Sequence, residues 1–308
     1  MRRKISYTIV FLFILIPFRN LFSQSYNFEN YNVENGLPQS EVNSIYQDAR
    51  GYLWIATAGG GMCSFDGINF VKYEERNGLA GQIVTCITGD AEGNIWAGTT
   101  WGGISKYDGK KFRTFNAEGG LVSNSINCIV YDSNSSSVAA GSMYGISFIK
   151  GSTITNVFIK DGDTLPEVRS LFVSGKIIYA GTTKGLYQVS PEGFKKISDP
   201  LIDHKMIHSV ITDQNNNIWM AVSGTGLVQL KVNGEKHFSV PEFNDLVKDF
   251  EITSMYFDKR YGIIMGTNEN ALFIWDGKKL NHFDQNNGLK ASKINCIIRD
   301  FSGKIWMG

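Results

Sequence analysis

The sequence predicts an all-β fold, a β-propeller of about seven four-stranded blades with the seventh incomplete. Three observations carry this. A motif built on Asp-x-x-Gly recurs at Asp48, Asp90, Asp132, Ser174 (in place of Asp), Asp213, Asp258 and Asp300, at intervals of 42, 42, 42, 39, 45 and 42 residues. The 33 glycines, against 6 prolines, are spaced as turn punctuation between short apolar runs. No segment sustains a helical period. A repeat of ~40 to 45 residues containing four strand signals is the signature of a propeller blade.

The first element stands apart. Arg2, Arg3 and Lys4 precede an apolar run from Ile9 to Ile16, which Pro17 ends before the polar stretch at Ser23, Gln24 and Ser25. Residues 1–24 read as a secretory signal peptide, because the apolar run is about half the ~18 residues a membrane span needs. Residues 25–308 then form the propeller. Of 30 basic and 29 acidic residues, the leader removes four basic ones, leaving 26 against 29, or about −3. That balance lacks the basic surface of a nucleic-acid binder, so no nucleic-acid partner is expected. An exported location follows: the periplasmic face of the inner membrane in a longer protein, or secretion if the chain ends at Gly308.

Within the first copy the strands are expected at Val42–Gln47, Leu53–Thr57, Met62–Phe65 and Asn69–Tyr73. Asp-x-x-Gly joins the first two, with Asp at the first turn position and Gly at the fourth. Asp66-Gly67, Asp108-Gly109, Asn233-Gly234 and Asp276-Gly277 are expected as two-residue hairpin turns between third and fourth strands. Six residues before each anchor stand Val42, Val84, Ile126, Val168, Ile207, Ile252 and Ile294. Four before it the column is always small: Ser44, Cys86, Cys128, Ser170, Ser209, Ser254 and Cys296. A column that accepts only Ser or Cys between bulky neighbours points to crowding, as where inner strands converge on a narrow axis. Three of the four cysteines share this column, so they read as small buried hydrophobes and not as disulfide partners. Trp54, Trp96, Trp219 and Trp306 recur at one strand position, which points to packing between blades.

At the ends, Tyr26–Tyr31 precedes Asn-Gly-Leu just as Phe70–Tyr73 and Leu280–Phe283 precede their equivalents, and is expected as an outer, fourth strand. The seventh copy supplies a first strand in Ile294–Asp300 and a second in Lys304–Gly308, with no third. The chain therefore reads as a fragment of a longer protein.

Asn35-Gly36-Leu37, Asp48-x-x-Gly51, Leu53-Trp54-Ile55 and Gly60-Gly61 resemble the two-component regulator propeller repeat, as do Asn77-Gly78-Leu79, Asp90-x-x-Gly93, Ile95-Trp96 and Gly102-Gly103-Ile104. Copies three and four depart from it, with Ala139 and Tyr179 at the Trp position and Ser174 for the turn Asp. The resemblance implies an extracytoplasmic sensor that binds a signal, such as a glycan fragment. It would relay that signal to downstream signalling domains of the same polypeptide, a membrane-anchored histidine kinase or similar output. It also implies a homodimer of the full-length protein.

No Gly-x-Ser-x-Gly, Gly-x4-Gly-Lys, His-Glu-x-x-His or Cys-x-x-Cys motif is present, so no catalytic residue, cofactor or metal is expected in this segment. His204 and His208 are four apart but lie in a loop running into a strand, which is not zinc-ligand geometry. A propeller's function usually resides on the loops at one channel mouth. There the varied loop residues include Trp101, Tyr144 and Lys184, and the polar position five before the anchor includes Asn43, Asn127, Arg169 and His208. These are the candidate ligand-binding residues, for a small polar ligand or oligosaccharide. Two other readings share the fold: a secreted scaffold propeller of surface assembly or secretion, and a propeller polysaccharide lyase or hydrolase using Arg169 and His208.

Overall fold

Each Asp-x-x-Gly anchor forms the tip of a hairpin. In the first, Gly51 N–H donates to Asp48 O at 2.9 Å and Asp48 N–H to Tyr52 O at 3.0 Å, with Gly51 in the left-handed region at φ 92° that glycine adopts without a Cβ clash. The computed structural model describes residues 28–232 and 237–308. The expected leader at 1–24, Tyr26 and the turn at Asn233-Gly234 lie outside the described residues. The first blade is Val42–Gln47, Leu53–Thr57, Met62–Phe65 and Phe70–Tyr73, hydrogen-bonded antiparallel in that order. Five more four-stranded sheets follow, with inner strands Val84–Gly89, Ile126–Asp132, Val168–Ser174, Ile207–Thr212 and Ile252–Asp258.

Two expectations at the seventh position need correction. The fold has six four-stranded blades, not about seven; the seventh position holds a two-stranded sheet, Ile297–Arg299 with Ile305–Met307. Residues 28–31, expected as its outer strand, carry no strand. A fourth strand needs a third to pair with, and none is present among the described residues. The ring nevertheless closes: each inner strand contacts that of the next blade, and Ile297–Arg299 contacts the inner strands of both the sixth and the first.

The hairpin turns are also shifted by one residue. In the first blade Phe65 pairs with Phe70, so the central pair is Gly67-Ile68, with Gly67 at φ 99°. Glycine at the first central position is the II′ requirement. Asp66 precedes the turn and its carboxylate accepts from Ile68 N–H at 2.8 Å. Asn-Gly-Leu makes another device: a single 3-10 turn, Val33–Asn35 or Glu75–Asn77, ended by a left-handed glycine. It drops Leu37 and Leu79 into the core.

The core is a set of wedges between blades. One cluster joins Trp54, Ala56, Met62 and Leu79 of the first blade to Val84, Ile87, Ile95 and Ala97 of the second. Another joins Val42, Ile45 and Phe65 to Cys296, Ile298 and Trp306 of the seventh position. The small column belongs to these wedges. Ser or Cys pairs across the hairpin with Ala56, Gly98, Gly141, Gly181, Ala221 and Gly266, and the apolar column residue of the next blade presses on the glycines. A Cβ on Gly98 would lie 2.5 Å from Cys86 Sγ and 2.7 Å from Ile126 Cγ2. Crowding by the neighbouring blade therefore fixes this column. Burial pushes the thiols of Cys63, Cys86 and Cys296 up to about 12, so they stay protonated at neutral pH.

The anchor carboxylates are acceptors, buried at Asp48, Asp132 and Asp258 and half-buried at Asp90, Asp213 and Asp300. Oδ1 of Asp48 takes the turn N–H groups of Arg50 and Tyr52 at 2.9 and 3.1 Å. Its Oδ2 accepts from Trp54 Nε1 at 3.1 Å. The same indole bond recurs at Asp90, Asp213 and Asp300, at 2.8, 3.0 and 2.7 Å. Burial pushes the carboxyls of Asp48, Asp90 and Asp300 up, but the hydrogen bonds they accept outweigh it and hold each below the ordinary value. A carboxyl depressed in the folded state stabilises above its unfolded pKa of about 3.9. That contribution is lost as pH falls through the lower folded values. The urea midpoint is thus expected to fall steeply below about pH 4, and Asp90→Asn to flatten the fall while lowering stability at pH 7. A midpoint equally steep in the variant would remove Asp90 from this account.

Candidate functional site

The position five before each anchor is a β-bulge in all six blades. The pairing of the inner strand with its neighbour shifts between Val42 and Ser44, and at the equivalent place in the others, leaving Asn43, Thr85, Asn127, Arg169, His208 and Thr253 unpaired. A bulge re-aims the side chain it carries. Here most are aimed at the next blade. Asn43 Nδ2 donates to Val84 O at 2.8 Å, Asn127 Nδ2 to Val168 O at 3.1 Å and Thr253 Oγ1 to Ile294 O at 2.6 Å. Thr85 Oγ1 bonds Ile126 O in the same way. Asn295 Nδ2 completes the circle on Val42 O at 3.0 Å. The polar column is thus a ring of staples between consecutive inner strands.

Arg169 and His208, on adjacent blades, do not make this bond. Arg169 Nη1 instead pairs with Glu167 Oε1 at 3.0 Å, and the same oxygen accepts from Asn127 Nδ2 at 3.0 Å. His208 Nε2 lies 2.7 Å from Ser223 Oγ and 3.6 Å from Glu251 Oε1, and Asn268 Nδ2 donates to Glu251 Oε2. The result is a polar arc over the third to sixth blades: Asn127, Glu167, Arg169, then His208, Glu251, Asn268. Burial, aided by the Arg169 charge and opposed by Glu251, lowers the His208 pKa, so the imidazole is neutral at pH 7. A cleft of about 310 Å³ opens beside it, lined by His208, Ser223, Lys248, Phe250 and Glu251 among others.

The loops explain why Ser223 is free to do this. In other blades the residue ending the second strand folds the following loop back on itself: Thr57 Oγ1 donates to Gly61 O at 2.8 Å, Thr99 to Gly103 O at 3.0 Å and Thr182 to Gly185 O at 2.9 Å. Val222 replaces that hydroxyl in the fifth blade, and the next residue, Ser223, turns to His208. The loop and the lead-in to the inner strand share one face, because Thr183 N–H donates to Glu167 O and Ser223 N–H to Met206 O.

Of the expected binding residues, the structure joins Asn127 to Arg169 through Glu167 and sets His208 in the cleft. Asn43 lies in the staple to the second blade. Trp101 and Tyr144 stand on the loops of the second and third blades, 76% and 50% exposed. Lys184 sits on the loop of the fourth, its N–H donating to Thr182 Oγ1 at 3.0 Å. Among the described residues no hydrogen bond or ion pair ties the side chains of these three to the arc. His204 turns away toward Asp161, 4.0 Å distant. No group of three or more His, Cys, Asp or Glu able to hold a metal occurs among the described residues.

Glu167 and Glu251 are absent from the expected set. They stand seven before the anchor, two residues from the bulge, and side chains two apart in an extended strand share a face. That column reads Glu41, Ile83, Ser125, Glu167, Met206, Glu251 and Lys293, and its charges were the signal available.

Comparison with known proteins agrees with the repeat. The two component regulator propeller family model matches residues 36–59 and 78–101. No curated protein matches the chain. The extracellular domain of a hybrid two component system from B. thetaiotaomicron is 23% identical with a TM-score of 0.75, over 91% of this chain and 40% of that one. A second such domain from the same organism is 19% identical with a TM-score of 0.70, over 91% of this chain and 38% of that one. Virginiamycin B lyase from Staphylococcus aureus is 13% identical with a TM-score of 0.69, over 87% and 91% of the two chains. At these identities the likeness shows the propeller fold. The chain spans about 40% of the length of the first two. Among the described residues no helix is long and apolar enough to cross a membrane.

Proposed function

We propose, for a chain that carries repeats of the two-component regulator propeller family, a role as a non-catalytic, exported sensing propeller. It binds a small polar ligand or oligosaccharide at the channel mouth over the fourth to sixth blades. The observation that carries this is the interruption of the staple ring at Arg169 and His208. Five of seven column positions spend their polar group between blades; of the other two, Arg169 turns to Glu167, and His208 turns to Ser223 and Glu251, with which it lines an open cleft. Neutral imidazole, hydroxyl, amide and carboxylate groups at hydrogen-bonding spacing suit a polyhydroxylated ligand, with Phe250 as an apolar face. Signal relay to an output module in a longer polypeptide is the role that follows from the repeat family and from the resemblance in fold to extracellular domains of hybrid two component systems.

The resemblance in fold to a lyase favours turnover less, on the geometry of His208. Ser223 and Glu251 both address Nε2, whereas activation of a hydroxyl by a His–carboxylate pair needs the acid on the other ring nitrogen. Titration calorimetry against neutral and acidic oligosaccharides is expected to find a ligand that the wild type binds and Arg169→Ala/His208→Ala binds at least tenfold more weakly, with unchanged thermal melting. Equal binding by the variant, or no oligosaccharide bound at millimolar concentration, would sink the glycan-sensor reading. Turnover of a polysaccharide abolished by His208→Ala would favour the lyase instead.

A further inference from the structure

The longest interval of the repeat, 45 residues, separates Asp213 from Asp258, and the segment within it that leads to the sixth blade forms one wall of the cleft beside His208. The segment begins with a 3-10 helix, Glu242–Leu246, and is pinned to the loop of the fifth blade. The buried Asn244 accepts from Leu227 N–H through Oδ1 and donates to Thr225 O through Nδ2, each at 2.7 Å. Gly226 makes this approach possible: at φ 87°, a Cβ there would lie 2.5 Å from Asn244 Oδ1 and 2.9 Å from Lys248 Cα. Phe243 packs on Trp275 at 4.3 Å between centroids, and Phe250 on Phe273 at 4.9 Å. A wall held in this way is set before a ligand arrives, which lowers the cost of binding.

The wall is also acidic. Residues 242–251 carry Glu242, Asp245, Asp249 and Glu251 against Lys248 alone. Of these, Lys248, Asp249 and Glu251 line the cleft, and the ammonium of Lys248 is held by Asp245, with Nζ 2.7 Å from Oδ1. Arg169, on the fourth blade, is likewise held by Glu167 at 3.0 Å. Asp249 and Glu251 therefore set the sign of the cleft. Glu251 accepts from Asn268 Nδ2 on Oε2, while its Oε1 faces the imidazole of His208 3.6 Å away. Burial keeps that imidazole neutral at pH 7, so it does not balance the carboxylate.

We propose that this cleft seats the ammonium group of an amine-bearing oligosaccharide, with Glu251 as its counter-ion. The inference rests on the sensing role proposed above and names the class of ligand within it. An ammonium group has three N–H donors and no acceptor. Glu251 Oε1 offers it a charged acceptor, and Ser223 Oγ, in the same cleft, a neutral one. Phe250 adds an aromatic ring, whose face attracts a cation. The Glu251 side chain is 48% exposed, so its ion pair is weaker than a buried one; pair and ring together favour the amine about tenfold over its neutral acetylated form. A ligand carboxylate would meet like charge along the whole wall, and that repulsion is a second source of selection.

The test is titration calorimetry of the chain at pH 7 with oligomers of glucosamine and of galactosamine, each beside its N-acetylated form, and with an oligogalacturonate. In at least one series the amine form is expected to bind about tenfold more tightly than its N-acetylated form and more tightly than the oligogalacturonate, with an affinity that falls as salt is raised. Glu251→Gln, which keeps the shape of the side chain, is expected to lower that affinity about tenfold and to flatten its salt dependence. Asp249→Asn, at an exposed position, is expected to act in the same direction and serves if Glu251→Gln lowers the melting temperature. An N-acetylated or acidic oligomer that binds as tightly as the amine, at a site lost in Arg169→Ala/His208→Ala, would overturn the charge assignment and leave the oligosaccharide-sensing role standing. Equal binding of the amine by wild type and by both carboxylate variants would overturn it as well, by placing the amine outside the cleft. Binding of no oligomer at millimolar concentration would remove the sensing role and this inference with it.

Discussion

Trp54→Ala is expected to lower the free energy of unfolding by about 4 kcal/mol, within the range for deleting a buried aromatic side chain. The indole is 2% exposed and holds two blades together, its ring lying against Tyr73 and Tyr107 while Nε1 donates to the buried Asp48. Removal opens a cavity at a seam between blades and also strips one donor from a carboxylate that cannot reach bulk water. Trp54→Phe separates the two effects. It keeps most of the ring contact and loses the donor, so a cost of about 1.5 to 2 kcal/mol is expected from leaving a charged acceptor short of a partner. Trp306, half-buried against the incomplete seventh sheet, keeps the same Asp bond but less packing, and Trp306→Ala is expected to cost less than Trp54→Ala. Urea unfolding of the three variants decides the matter. Equal losses for Trp54→Phe and Trp54→Ala would mean that the Asp bond, and not packing between blades, is what the tryptophan contributes.

That bond also marks how far the sequence could be read. The periods of the anchor and apolar columns were enough to place the strands, because alternation and turn chemistry are local. The first blade's first three strands appear at the expected bounds and the fourth begins one residue later, at Phe70. The coupling of Asp to Trp six residues on joins the two ends of a hairpin, and only folding shows that one carboxylate caps the turn and holds the indole. Blades without the Trp reveal the substitution: Asp132 turns to Ser135 and Asn134, and Asp258 faces Arg299 from the seventh position. The site was half legible. Arg169 and His208 stood out as odd members of a polar column, but that column's ordinary task, stapling consecutive inner strands, depends on a bulge and on a carbonyl one blade away. Without that knowledge Asn43 and Arg169 look alike. Glu167 and Glu251 escaped because their column varies freely in sequence and acquires meaning only beside the bulge. The strand count at the seventh position failed for a different reason: a strand exists only if its neighbour is there to pair with it.

The small column carries a second large effect, because two side chains and a neighbouring blade share one space. Wherever cysteine stands in the column, glycine faces it: Cys86 with Gly98 and Cys128 with Gly141. Alanine is found only opposite serine, at Ser44–Ala56 and Ser209–Ala221. Sulfur is larger than a hydroxyl oxygen, so the extra methyl fits only where the partner is smaller. Gly98→Ala is therefore expected to destabilise by about 2 to 3 kcal/mol, as overpacking of a close-packed core does. Its new Cβ would meet Cys86 Sγ at 2.5 Å and the stiff, β-branched Ile126 at 2.7 Å. Adding Cys86→Ser rebuilds the set Ser209, Ala221 and Ile252 that the fifth and sixth blades already use. The double variant is expected to recover at least about 1 kcal/mol relative to the sum of the single changes, a coupling typical of residues in contact. Strict additivity in the double-mutant cycle would refute volume sharing and leave Ile126 alone as the clash. In that case Gly98→Ala should instead be relieved by Ile126→Val, which shortens the residue pressing from the third blade.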